Sequence, residues 1–413
     1  MKGFIYAKKR NFLLAQSAFK NAVEARTQTT DIGQIAGDYN DFGNFYFDSL
    51  KNLQKARIYY ELGMKYAGKA GDSVRLSRLS FNIGRTCMDE NNFKQANKYL
   101  SQAFVFLGIA DSGGFHNSAT ATAISLNQNK ELLLYILENK TWLLLRLYEQ
   151  KKDKHFLHDC LAAALLTDSV ITQLRHKQTG EQSKLYWRDR TRSFFATALK
   201  ACYAAGNPAL AFYYMEKSRA VLLNDKLNEL GAMAHLPEEE HNTEQEYKRR
   251  ITSEEQRLNS LPAHSMQYKQ QQLTVLQVKD EFEHYIKTIE QKYPAYYQYK
   301  YASKVPALAE LQKYLLKRKA HFVHYFVEDT TAYILSIMPD TAKMIQLHSK
   351  NFDREQVMEF LRYCSNKQRL NNDFSGFASI SHALYKSFFE PLQMPAGRVI
   401  LCQDNFLLPF EAL

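Results

Sequence analysis

Five cysteines and twelve histidines are the residues of this 413-residue chain that could serve as nucleophiles, bases or metal ligands. Cys87, Cys160, Cys202, Cys364 and Cys402 are odd in number, scattered and set among apolar neighbours. That pattern suits buried thiols in a reducing compartment better than a disulfide framework, so a cytoplasmic location is expected. Cys402 follows a strand-like run, Val399 to Leu401, but no His-Gly motif accompanies it. In "HFLHDC" His155, His158 and Asp159 share one helix face, which reads as a solvated stripe sooner than as a metal site. His321 and His324 form an H-x-x-H on an extended run, where an odd separation turns the two rings to opposite faces and disfavours a shared metal. No phosphate-binding glycine loop, nucleophile elbow or paired-carboxylate signature stands out, so neither a metal nor a cofactor is assigned.

Composition narrows the classes further. A hydrophobic content of 45% with 23% charged residues describes a globular chain with a real core, long enough for two or three domains. The run "ELLLYILENKTWLLLRLY" is broken by Glu138, Asn139 and Lys140, as in an amphipathic helix and unlike a membrane span. The N-terminal "MKGFIYAKKRNF" lacks the apolar core of a signal peptide. The net charge of +11 is spread over short clusters, such as Lys8 to Arg10, Lys248 to Arg250 and Lys317 to Lys319. Without interleaved aromatics these read as solvated helix faces, which argues against nucleic acid as a partner.

The elements that would position any chemistry emerge from self-similarity. Gly3, Ala15, Phe19 and Ala22 recur as Gly84, Ala96, Leu100 and Ala103, and between them Gly43, Ala56, Tyr60 and Gly63 fit with one residue inserted. Ala15 to Ala56 is 41 residues and Ala56 to Ala96 is 40. The spacing predicts helical hairpins in which small residues sit where two helices touch and a large apolar residue fills the adjoining groove. Units are expected near 3–27, 38–70 and 78–110, with a degenerate pair over 120–175 and another unit over 190–225. From 231 to 300 the composition turns polar, and Val275, Val278, Phe282, Tyr285, Ile286 and Ile289 form one stripe, which predicts a long helical hairpin. Beyond it a helix over Leu308 to Leu315 leads into an antiparallel meander within "HFVHYFVEDTTAYILSIMPDTAKMIQL". There follow a helix over Arg354 to Cys364, a loop rich in Asn and Gly, a helix "ALYKSFFEPL" and a strand at Val399.

The repeat pattern resembles the tetratricopeptide repeat, in one of its longer variants. The succession of such an array ending in "KSRA", a charged hairpin, the meander, "LYKSFFEPL" and "VILCQDNFLLPFEAL" resembles the entry to a CHAT domain, a caspase-like module joined to such repeats in prokaryotes. The resemblance runs from about Leu199 to Leu413, and "LLPFEAL" is its most specific part. It implies an α-helical tetratricopeptide solenoid over 1–230, a helical hairpin linker over 231–300 and a partial α/β caspase-like domain over 301–413. It also implies a cysteine peptidase whose catalytic His and Cys lie beyond Leu413, so that this chain is expected to be inactive alone, a sensing portion truncated at both ends. The alternative is a non-enzymatic tetratricopeptide scaffold with a degenerate CHAT module. In either case a protein or peptide partner is expected on the concave surface made by the first helix of each pair, at Asn44, Tyr46, Phe47, Arg85 and Asp89.

Overall fold

The turn between successive helices follows one local rule. A residue in the left-handed region, Arg10, Lys51, Gly71, Asn91 or Gly206, is followed by Asn or Asp, whose side chain caps the next helix. Asn11, Asp31, Asn52, Asp72 and Asn92 each accept a hydrogen bond from the backbone N–H three residues on, satisfying a donor the helix cannot. The computed structural model describes residues 2–28, 31–109, 118–176, 181–219, 231–232, 234–262, 265–300, 305–328, 331–348, 354–404 and 409–412. The end of the last predicted repeat, beyond 219, and residues 405–408 of the closing motif lie outside them.

The fold is predominantly helical, with a small mixed sheet toward the C-terminus. It forms two compact units, one of Met1–Leu174, Ser193–Ala211 and Leu315–Leu413, the other of Arg175–Arg192 and Phe212–Tyr314. In the first, α1 (Lys2–Lys8) pairs with α2 (Phe12–Thr27), α3 (Ile32–Asn44) with α4 (Leu53–Lys69), and α5 (Ser73–Asp89) with α6 (Phe93–Phe106). After α7 (Ser118–Leu126) come α8 (Lys130–Lys151), α9 (Lys154–His176), α10 (Glu181–Ala205) and α11 (Pro208–Arg219).

The small residues do what their spacing predicts. A Cβ on Gly3 would stand 2.7 Å from the Phe19 ring and one on Gly84 3.1 Å from Leu100, while one on Gly43 would overlap the Tyr60 ring. Ala15, Ala56 and Ala96 are fully buried. The fourth pair lacks this pattern and is attached differently. Lys140, which on sequence interrupts an apolar run, is itself buried, and its ammonium donates to Asn97 at 2.8 Å and Ser101 at 3.0 Å across to α6.

The extra residue of the second unit has a structural address. Helix α3 does not stop at Asn44 but widens into a π turn over Phe45–Ser49 before the cap at Asn52. A π turn is how a helix absorbs one inserted residue without losing its axis.

Strands β1 (Ala320–Val327), β2 (Thr331–Ile337), β3 (Ala342–His348) and β4 (Arg398–Cys402) form a sheet of order β3-β2-β1-β4. The meander is antiparallel as predicted, with Val323 opposite Ser336 and Tyr333 opposite Gln346. β4 returns parallel to β1. One face, Val323, Tyr325, Val327, Ile334 and Leu347, packs on α16 (Arg354–Ser365) and α18 (Phe374–Phe388) through Val357, Phe360, Leu384 and Phe388. On the other, the Tyr203 ring of α10 lies 6.3 Å from that of Tyr333 in β2. Asp404 accepts from the Val327 N–H at 2.9 Å, and Phe410 lies 5.4 Å from the Tyr325 ring, so the closing segment is docked.

The stretch read as an Asn- and Gly-rich loop is helical. The short α17 (Lys367–Asn372) precedes α18, which starts at Phe374 because Asp373 accepts from the Gly376 N–H at 2.9 Å. In the second unit α12 (Glu238–Asn259) and α13 (Met266–Lys292) form the predicted hairpin, followed by α14 (Pro294–Lys300). The α13 stripe is buried at Val275, Val278, Ile286 and Ile289, and Glu240 ties the two helices by accepting from Tyr285 and Lys292. Helix α15 (Leu308–Arg318) then leads to β1.

Candidate functional site

Helix α5 carries Arg75, Arg78, Asn82, Arg85 and Asp89 at alternating spacings of three and four, so they form a single stripe along the helix. Two cavities open along it. Near the start of α5, about 530 Å³ is lined by Arg26, Asp38, Asp41, Asp72, Arg75 and Arg78. Here Arg26 pairs with Asp38 at 2.7 Å and Arg75 with Asp72 at 2.6 Å. Burial raises the Asp41 carboxyl above its usual range, with the Asn40 side chain opposing the shift. Between the cavities Asn82 donates to Asn40 at 2.8 Å and to Asn44 at 3.4 Å, and Asn44 also accepts from Tyr60 at 2.9 Å. This polar ladder fixes α3 against α5.

The second cavity, about 460 Å³, sits at the π turn and is lined by Phe47, Arg85, Met88, Asp89, Trp142 and Phe194, with polar side chains at the rim. Its walls come from α3, α5, α8 and α10, first helices of successive pairs. Phe47, Met88 and Phe194 are buried and form the floor, Arg85 and Trp142 are half-buried walls, and Asp89 is exposed. The Arg85 guanidinium lies over the Phe47 ring at 4.6 Å and near Phe81 at 5.9 Å, and that of Arg146 over Trp142 at 5.0 Å.

Of the residues expected to meet a partner, Phe47, Arg85 and Asp89 share this cavity. Asn44 belongs to the ladder. Tyr46 points elsewhere. It is 3% exposed, its ring stacks on Tyr59 at 5.3 Å, and it contributes to an aromatic cluster with Phe42 and Phe45. Trp142 and Phe194 were missed because their helices carry no repeat consensus, although the one-residue insertion before Ala56 already marked the π turn.

The groups with nucleophilic or ligand chemistry are placed as follows. His155 lies 3.5 Å from Asp159 one turn along α9, and His158 is exposed. Cys87, Cys160 and Cys202 are buried and Cys402 half-buried, whereas Cys364 is exposed on α16, against the sequence expectation. Cys160 donates to the Thr141 carbonyl at 3.3 Å, and burial pushes its thiol up to about 12, which holds it in the unreactive protonated form. The parallel pairing of β1 with β4 sets His324 beside Cys402 in register, so ring and thiol share one face, within 4.8 Å of each other. Nothing in the sequence brings these two residues together. His324 is fully buried.

No family model matches the chain, and no curated protein matches it. Among solved structures it is similar to the crystal structure of BtubC (BKLC) from P. vanneervenii, at 16% identity and a TM-score of 0.40, over 53% of this chain and 76% of that one. Among the described residues, no helix is long and apolar enough to cross a membrane.

Proposed function

We propose that the chain is the regulatory and sensing portion of a caspase-like cysteine peptidase of the CHAT family, in which a tetratricopeptide-type array binds a protein or peptide partner. The observation that carries the binding half is the cavity at the π turn, where α3, α5, α8 and α10 turn side chains toward one space. A surface assembled from successive first helices suits an extended segment lying across them. What supports the second half is the C-terminal sheet. Its strand β4 runs parallel to β1, with helices on one face and Tyr203 of the array on the other. That contact offers a route by which occupancy of the array could be felt in the sheet.

Hydrogen exchange on the 413-residue chain with and without a bound peptide tests the reading. Protection is expected in α3, α5 and α8, and protection confined to the α12–α13 hairpin would refute it. A peptidase assay tests the chemistry. The chain is expected not to cleave, because the family's His and Cys match no residue in it. Cleavage that disappears in Cys402→Ala would assign the dyad to His324 and Cys402 instead.

A further inference from the structure

We propose that the cavity at the π turn selects peptide segments in which an acidic and a basic residue stand two apart, as in Glu-x-Lys. The inference rests on the peptide-binding reading above and names the chemistry of the partner.

Arg85 is the central observation. Its guanidinium lies over the Phe47 ring and near Phe81, and it makes no hydrogen bond or ion pair among the described residues. The guanidinium is planar by delocalisation, its forked donors lie in that plane, and a carboxylate is the group that fork fits. The π turn creates this arrangement by bringing Phe47 beneath the Arg85 side chain. At the rim Asp48 and Asp89 are exposed and likewise carry no ion pair among the described residues. With Lys51 on the rim, the lining sets Asp48 and Asp89 against Arg85 and Lys51. A ligand of a single sign therefore meets like charge.

Extended chain geometry supplies the spacing. Residues i and i+2 point to the same side, roughly 7 Å apart, so an acid and a base at those positions both enter a space of about 460 Å³. The apolar floor of Phe47, Met88 and Phe194 lowers the local dielectric and strengthens the pairing at half-buried Arg85. The other cavity on the α5 stripe makes a useful contrast, since Arg26 and Arg75 are there already neutralised by Asp38 and Asp72.

The test is affinity selection by the purified 413-residue chain from a positional-scanning library of N-acetylated, C-amidated hexapeptides, beside the same library with free C-termini. The amidated library should yield sequences with an acid and a base two apart. Arg85→Ala should remove the preference for the acid and weaken the best peptide by about tenfold or more, the range of a charge-assisted hydrogen bond. Arg85→Lys should fall between, retaining charge without the fork, and it carries the test should the alanine variant melt early. Asp48→Asn with Asp89→Asn should remove the preference for the base. Peptides selected without charge preference, by acid alone, only with free C-termini, or unchanged by Arg85→Ala would overturn the inference and leave the binding reading standing. Selection of no peptide at all would overturn both.

Discussion

In the third helical pair Gly84 stands 12 residues before Ala96 and α5 runs unbroken to Asp89, whereas in the second Gly43 stands 13 before Ala56 and α3 closes with a π turn over Phe45–Ser49. Both pairs use a glycine for close approach, both place a large side chain against it, and both start their second helix on an asparagine cap. The single added residue does not loosen the packing at Gly43, where the contact is the tighter of the two. Its effect falls downstream, on the direction of Phe47 and Asp48. A repeat can thus keep its stacking contacts and acquire a distinct surface by lengthening a helix end.

The largest effect that would break this comparison is expected at the glycines. Gly43→Ala should destabilise by about 3 kcal/mol, the upper end for overpacking, because its methyl would enter the Tyr60 ring. Gly84→Ala should be close to neutral, since the Leu100 methyl at 3.1 Å can give way and alanine favours the helix. Equal melting temperatures would show that the two contacts are interchangeable. At the next level, Ala96 is fully buried, so Ala96→Leu should cost about 2 kcal/mol and more than Ala96→Ser, which denaturant titration would resolve. Asn82→Ala removes both donations of the ladder joining the two pairs and should cost about 1–2 kcal/mol, measured against Asn82→Asp to separate size from donor chemistry.

At neutral pH the smallest effect is that of a group which titrates only in alkali. Burial raises the Cys160 thiol to about 12, so the folded state keeps a proton that the unfolded chain releases above its ordinary value of about 8.5. Stability from this group is complete below that value and is lost as pH rises through the interval. Cys160→Ser retains a donor for the Thr141 carbonyl and should flatten the fall in melting temperature between pH 8 and 10.5. The fall will not vanish, because burial raises Cys202 and Tyr60 in the same direction.

How much of this was legible in the sequence depends on how local the determinant is. The period of small residues foretold the first three pairs, and alternation in "HFVHYF" foretold β1. The α18 start at Phe374 was hidden because Ser375 and Gly376 look like loop residues unless Asp373 is recognised as their cap. Lys140 looked like an interruption because its partners Asn97 and Ser101 lie on a different helix. The juxtaposition of His324 with Cys402, and of Phe47 with Phe194, depends on tertiary contacts between distant segments, for which neither period nor motif exists in one sequence.

The parallel return of β4 to β1 also bears on how the protein is made. Helical pairs of the array close on neighbours in the chain and can form as they leave the ribosome, while the β1 edge waits for a segment far downstream. Asp404 must reach Val327 across 77 residues, which at about 5–20 residues per second is roughly 4 to 15 s of synthesis. For that interval β1 is paired on one side only, and its other edge is open to strands of neighbouring nascent chains. Crowded polysomes are therefore where this fold is most exposed to misassembly, and slowing translation between codons 328 and 398 should lower its soluble yield.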